Sequence, residues 1–358
     1  MSKKILAYLC FFVGVSSGVS GQTTQIKGFL NVNAQYISDT MHGDDNRAKF
    51  ILGQYDMFIT SQITEKISML GESVFEYDGD FGVDVERLYV KYQHDNHFAV
   101  SAGKFHTPLG YWNNAFHHGL VIQPVIVRPD VLKFEDDGGI LPVHETGLQI
   151  DAEHFSKSNI GVNLLISNGL NSTPISDANL SKAITLNLHA EPIDNFVVTL
   201  SGYMNKTKGG FTNPQGIYVP YDLNTRIMNV ALAYMNGKLP IEFIGEFYSI
   251  NHDMDTIGQK NKVTNAFVVY GGYKIKKFTV YASYENITYP DNTAGNPSTS
   301  YYIPNNTSDL ILGVRYKPAP LAVIKFQYKN YVTKAPTVVD DMRTGVQNIF
   351  ELQFAVGF

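Results

Sequence analysis

Apolar and polar residues alternate along most of the chain. In LAVIKFQYK (321–329), Ala322, Ile324, Phe326 and Tyr328 share one face, while Lys325, Gln327 and Lys329 share the other. In KFTVYASYE (277–285), Phe278, Val280, Ala282 and Tyr284 oppose Thr279, Tyr281, Ser283 and Glu285, and DLILGVRYK, NFVVTLSGYM and TGLQIDAE repeat the pattern. A period of two is that of a strand with one apolar face. Strands read from alternation, and breaks read from Gly, Pro, Asn and Asp, predict sixteen elements. Their approximate spans are 25–38, 48–63, 66–77, 83–94, 97–105, 145–154, 159–168 and 181–190, then 195–206, 224–236, 239–251, 263–275, 277–290, 307–317, 321–334 and 346–358.

The connections fall into two alternating sets. Those after even-numbered strands are tiny, such as TE at 64, DN at 95 and NGK at 236, whereas those after odd-numbered strands are mostly long and polar. An even strand count with tight turns at one end and loops at the other predicts an all-β fold, a transmembrane antiparallel β-barrel of the bacterial outer membrane. Closure pairs every backbone N–H and C=O with a neighbouring strand, as a hydrocarbon environment demands. A secreted sandwich or propeller is the competing architecture, but a sandwich buries its apolar face against a second sheet and has no need of long loops at one end only. After Gly21 no apolar run approaches the length of a helical membrane span.

The first residues, MSKKILAYLCFFVGVSSGVSG, read as a cleaved signal peptide over 1–21, with the barrel over 22–358. Cys10, the only cysteine, lies in that peptide, so the exported chain is expected to use neither disulfides nor cysteine metal sites. With 22 Tyr and 22 Phe against a single Trp, the aromatic content suits pleated surfaces and a water boundary. A formal net charge of −5 argues against nucleic acid as a partner.

A sixteen-stranded cylinder is too wide for side chains to fill, so the interior is expected to hold water. Strand parity places Asp56, Glu72, Glu76, Arg87, Lys91, Glu145, Asp151, Glu242, Glu246, Arg315, Lys325, Lys329 and Glu351 on that inner face. The connection after the fifth strand, 106–144, is out of proportion and contains LVIQPVIV, which is too apolar for water. It is expected to fold into the barrel and narrow the channel.

The stretches AGKFHTPLGYWN, HHG and RPDVLKFEDDGGILP resemble those of porin-like outer-membrane proteins of Bacteroidetes-type bacteria. The whole topology resembles the sixteen-stranded general and phosphate-selective porins of Gram-negative bacteria. The resemblance implies passive diffusion of small hydrophilic solutes or ions through a water-filled barrel. It implies a pore constriction carrying Glu135, Asp136, Asp137, His117, His118 and Arg128, opposed to a basic lumen wall of Arg87, Lys91, Arg315, Lys325 and Lys329. It also implies a homotrimer in outer-membrane lipid. In that family a terminal strand such as NIFELQFAVGF, with Phe350, Leu352, Phe354, Val356 and Phe358 on one face, is the signal read by the barrel assembly machinery. Lumen arginines are few, chiefly Arg87 and Arg315, whereas the phosphate-selective members use a ladder of them.

The histidines of the long connection, His106, His117, His118 and His144, raise a metal reading because imidazole is the commonest ligand. Adjacent histidines do not readily face one ion from an extended segment, and no carboxylate stands at motif spacing, so neither metal nor cofactor is expected. No HExxH, GxSxG or P-loop occurs after residue 21, so no enzyme is expected, although a rim hydrolase is a third alternative. The principal alternative to a porin is a surface-binding or adhesion barrel with a blocked pore.

Overall fold

The computed structural model describes residues 23–39, 45–78, 80–117, 119–135, 137–170, 177, 181–212, 217–254, 263–290, 306–334 and 345–358. The expected signal peptide, His118 and Asp136 lie outside the described residues. In chain order the barrel strands are β1 (Thr23–Asp39), β2 (Asp45–Gln62), β3 (Ile67–Asp78), β4 (Asp80–Gln93), β5 (Phe98–His106), β6 (His144–Phe155), β7 (Ile160–Ser167) and β8 (Ala183–Ile193). They continue as β9 (Phe196–Thr207), β10 (Leu223–Tyr234), β11 (Ile241–Met254), β12 (Val263–Ile275), β13 (Phe278–Thr288), β14 (Asn306–Ala319), β15 (Ala322–Lys334) and β16 (Gly345–Gly357). The expected strand bounds hold to within three residues. A separate short hairpin pairs Phe211–Thr212 with Tyr218–Val219.

Every strand pairs antiparallel with its neighbours in sequence, and β16 pairs with β1 from Phe29↔Gly357 to Asp39↔Gln347, so the sheet closes. Closure is sealed at the Phe358 end, where Gly28 N and Phe358 O lie 3.0 Å apart and Phe358 N donates to Gly28 O at 2.9 Å. Burial follows the alternation. On β10, Thr225, Ile227, Asn229, Ala231 and Ala233 are buried, while Met228, Val230 and Leu232 are exposed on the outer face. On β16, Ile349, Glu351, Gln353 and Ala355 point inward while Phe350, Phe354, Val356 and the following Phe358 are exposed. The apolar outer belt and the inward charges satisfy the rule that lipid-facing charge is costly.

One irregularity decides a site. On β4 the outward residues are Phe81, Val83 and Val85, then Leu88, Val90 and Tyr92, so the parity changes between Val85 and Leu88. The β3–β4 register steps from Glu72↔Arg87 to Ser73↔Val85, leaving Glu86 as the extra residue of a β-bulge. The bulge turns both Glu86 and Arg87 away from the outer face, because two residues then oppose one.

Candidate functional site

β5 ends at His106 and β6 begins at His144, and the two pair directly, so both ends of the intervening segment, 107–143, leave the wall at one place. The segment contains a short helix, α1 (Tyr111–Ala115), and a 3-10 turn at Asp130–Leu132. Its backbone is tied to inward side chains around the barrel. Gly110 N donates to Ser201 Oγ on β9 (3.3 Å), Trp112 N to Glu246 on β11, and Gly119 N to Asp56 Oδ2 on β2 (3.2 Å). Ile126 N donates to Gln327 Oε1 on β15 at 3.0 Å, and Asp130 N and Val131 N both donate to the Glu285 carboxylate on β13 at 2.8 Å. In the other direction, Arg315 on β14 donates to Pro124 O (3.3 Å), and Lys325 on β15 donates to Leu120 O and Val125 O. A segment held by strands on opposite sides of a closed sheet lies inside it.

Packing explains why it stays there. Leu109, Trp112, Phe116, Val125, Val131, Leu132, Ile140, Leu141 and Val143 are buried in one cluster with Ile227, Ile244, Tyr248, Ile250, Val268, Tyr270, Tyr281 and Ile311 of the inner wall. Removing that apolar surface from water stabilises the docked segment. The interior is therefore not uniformly water-filled as strand count alone suggests: along β9–β14 it is a packed core. LVIQPVIV is apolar because it meets this lining, and Val121 packs with Val323 and Ala355.

At the base of the segment three histidines converge. The His117 ring stacks on His106 with centroids 3.5 Å apart, and His117 Nε2 lies 2.6 Å from His144 Nε2. His144 Nε2 is 2.5 Å from Glu86 Oε2, and His144 Nδ1 is 3.1 Å from Glu135 Oε2. His106 Nε2 is 3.6 Å from Glu72, which also holds Arg87. Arg128 donates to His117 O at 2.9 Å and Asn113 Oδ1 at 2.6 Å, and its guanidinium covers the Phe134 ring. Burial pulls the Arg128 pKa down to about 10, with Glu135 acting in the opposite sense, so it stays cationic at neutral pH.

Below the segment, toward the short-turn end, lies a cavity of about 320 Å³. Its wall is polar: Arg87 and Lys91 on β4, Ser101 on β5, Gln149 and Asp151 on β6, Asn163 on β7, Asn187 and His189 on β8 and Thr199 on β9. Pro108, Gly110, Tyr111 and Asn114 of the segment close one side of it. Lys91 Nζ and Asp151 Oδ2 are 3.9 Å apart, so basic and acidic groups share this wall. Burial, followed by the Glu246 charge, pushes the Tyr111 hydroxyl up to about 12, so it is a neutral donor there.

No family model matches the chain, and no curated protein matches it in sequence. Solved structures do. The trimer form of OmpT, an outer membrane protein of Vibrio cholerae, superimposes with a TM-score of 0.63 at 16% identity, covering 95% of this chain and 100% of that one. The outer membrane channel DcaP of Acinetobacter baumannii gives 0.64 at 12% identity over 96% and 100% of the two chains. An anion-selective porin from Comamonas acidovorans gives 0.64 at 10% identity over 94% and 100%. The fold is that of the sixteen-stranded outer-membrane barrels.

Within that fold the expected site residues separate into groups. Of the expected basic wall, Arg87 and Lys91 line the cavity. Arg315, Lys325 and Lys329 are buried on the far side, where Arg315 pairs with Glu242 (2.7 Å) and Lys329 with Asp309 (2.6 Å). Of the acidic run, Glu135 is bonded to His144 N at 2.9 Å and Asp137 is exposed; the carboxylate of the segment that approaches Lys329 is Asp130, at 4.0 Å. Glu86 was not expected at the site, because strict alternation with inward Arg87 assigns it to the lipid face. The apolar parity change between Val85 and Leu88 is the sequence signal that reveals it.

Proposed function

We propose that the chain is an outer-membrane porin that passes small hydrophilic solutes or ions, with segment 107–143 as its constriction. The observation that carries this reading is the polar cavity between the segment and the β4–β9 wall, lined by Arg87, Lys91, Gln149 and Asp151. With the opposite side filled by the apolar core, the solute path runs along these residues, and the mixed charges orient dipolar solutes as they pass. The fold shared with the DcaP channel and the anion-selective porin supports the same reading. So does the trimer form of OmpT for a homotrimer in outer-membrane lipid. Export by the 1–21 signal and recognition of the Phe358-terminated strand by the assembly machinery belong to the same proposal.

The test is single-channel conductance of the purified barrel in planar bilayers. Open channels whose anion-to-cation permeability falls in the Arg87→Glu, Lys91→Glu double variant are expected. Absence of conductance would favour the second reading, a surface-binding barrel, for which the density of packing between the segment and β9–β14 is the supporting observation.

A further inference from the structure

The histidine cluster holds two imidazole nitrogens and a carboxylate oxygen within contacts of 2.5 and 2.6 Å, a separation that requires a cation or a proton among them. Asn113 Nδ2 donates to Thr107 O (3.0 Å) and Val143 O (3.3 Å), which fixes Asn113 Oδ1 as an acceptor. His117 Nδ1, 2.8 Å from that oxygen, is therefore the protonated nitrogen of its ring. His144 Nδ1 faces the Glu135 carboxylate, an acceptor only, and is protonated for the same reason. His117 Nε2 then carries a lone pair, and it faces His144 Nε2 at 2.6 Å, which itself lies 2.5 Å from the Glu86 carboxylate. Either a proton on His144 Nε2 or a metal cation must lie among these three atoms.

We propose that His106, His117, His144 and Glu86 bind one divalent transition-metal ion of the Zn²⁺ class. The three imidazoles offer nitrogens that all lie within 4.8 Å of one another, and Glu86 Oε2 adds an oxygen 2.5 Å from His144 Nε2 and 3.8 Å from His117 Nε2. Three nitrogens and one carboxylate oxygen form a tetrahedral Zn²⁺ set once the 2.5 and 2.6 Å contacts open to admit an ion at bond lengths of about 2.0–2.1 Å. The bonds from His117 Nδ1 to Asn113 and from His144 Nδ1 to Glu135 are the supporting contacts that fix ligand tautomers in such sites. Glu72, Glu86 and Glu135 offset the charges of Arg87 and Arg128, and His106 borders the polar cavity, which gives an ion a way in. Donors of this kind, without thiolate, select a borderline cation over Ca²⁺ or Mg²⁺.

The location gives the ion a task. His106 ends β5, His144 starts β6, His117 follows α1 and Glu86 sits on the β4 bulge. One ion joins both roots of the inward segment to the wall and holds it docked. This does not depend on whether the barrel conducts.

Equilibrium dialysis of the untagged, detergent-folded chain against Zn²⁺ tests the proposal. One ion per chain is expected. His117→Gln and His144→Gln should each weaken binding by at least the roughly 10–100-fold typical of losing a supporting contact. A His94→Ala, His97→Ala variant at the exposed short-turn end should leave stoichiometry and affinity unchanged. Co²⁺ bound to the wild-type chain should give a tetrahedral visible spectrum that Zn²⁺ abolishes, a readout that needs no variant to fold. Absence of that spectrum, absence of bound Zn²⁺, or binding that survives both histidine substitutions overturns the site and leaves a shared proton between His117 and His144.

Discussion

Lys325 on β15 donates from Nζ to Val125 O at 3.0 Å, and the same nitrogen also reaches Leu120 O. A fully buried lysine whose donors are spent on two carbonyls of the inward segment is an anchor for that segment. Its cost in desolvation is offset only while those carbonyls are in place. Arg315 makes the same arrangement, with Glu242 on one side and Pro124 O on the other.

Replacing Lys325 with Met should loosen the segment without opening the barrel. Two buried carbonyls lose their donor, and a buried polar group left without a partner costs roughly 1–3 kcal/mol. Limited trypsin digestion should then cleave after Lys133 in the variant and spare it in the parent, the Arg128–Pro129 bond being resistant in both. Heat-modifiable migration of the folded barrel should be unchanged.

Trp112, the only tryptophan in the sequence, reports on docking of the segment. It is 1% exposed and packs edge-on to Phe116 with ring centroids 5.5 Å apart. Its emission should be that of a buried indole in the parent and should shift to the red in Lys325→Met. Trp112→Ala removes roughly 3–5 kcal/mol of packing and should raise protease sensitivity in the same region.

Closure at the Phe358 end leaves no room beside Gly28. A Cβ on Gly28 would stand 2.3 Å from Phe358 Cζ and 2.6 Å from Asp56 O, so Gly28→Ala must push the ring aside. The ring also stacks on Tyr55, at 5.8 Å between centroids, a contact worth about 0.5–1.5 kcal/mol. Both Gly28→Ala and Phe358→Lys should lower the folded fraction recovered on reconstitution, read as the proportion of heat-modifiable protein, with Phe358→Tyr close to the parent.

The short turn between β4 and β5 carries an acid-sensitive contact. Asp95 Oδ1 accepts from His97 N at 2.7 Å and Phe98 N at 2.9 Å, and those bonds hold its pKa below the ordinary 3.8. A carboxyl lowered on folding stabilises the turn above its unfolded pKa, and that contribution is lost as the pH falls through the lowered value. Asp95→Ala should therefore lower the urea midpoint at pH 7 and make no difference well below the lowered pKa. Unfolding curves at the two pH values measure this.

Alternation is a local property, set by a backbone that turns each successive side chain to the opposite face, so it survives in the sequence. It revealed the sixteen strands, the tight-turn end, and the inward faces of Glu246, Lys325 and Glu351. The length and apolar content of 106–144 likewise marked the segment that enters the barrel. The partners that segment finds were not legible. Lys325 and Lys91 are the same residue type on equivalent strand faces, yet one is buried under Val125 and the other lines a polar cavity, because the segment packs against one side of the cylinder only. His106, His117 and His144 are scattered across 39 residues, and Glu86 lies on another strand. They meet through β4–β5–β6 pairing and the return of the chain into the lumen, relations among distant residues that no local period encodes; only the bulge that carries Glu86 leaves a local mark, the parity change between Val85 and Leu88.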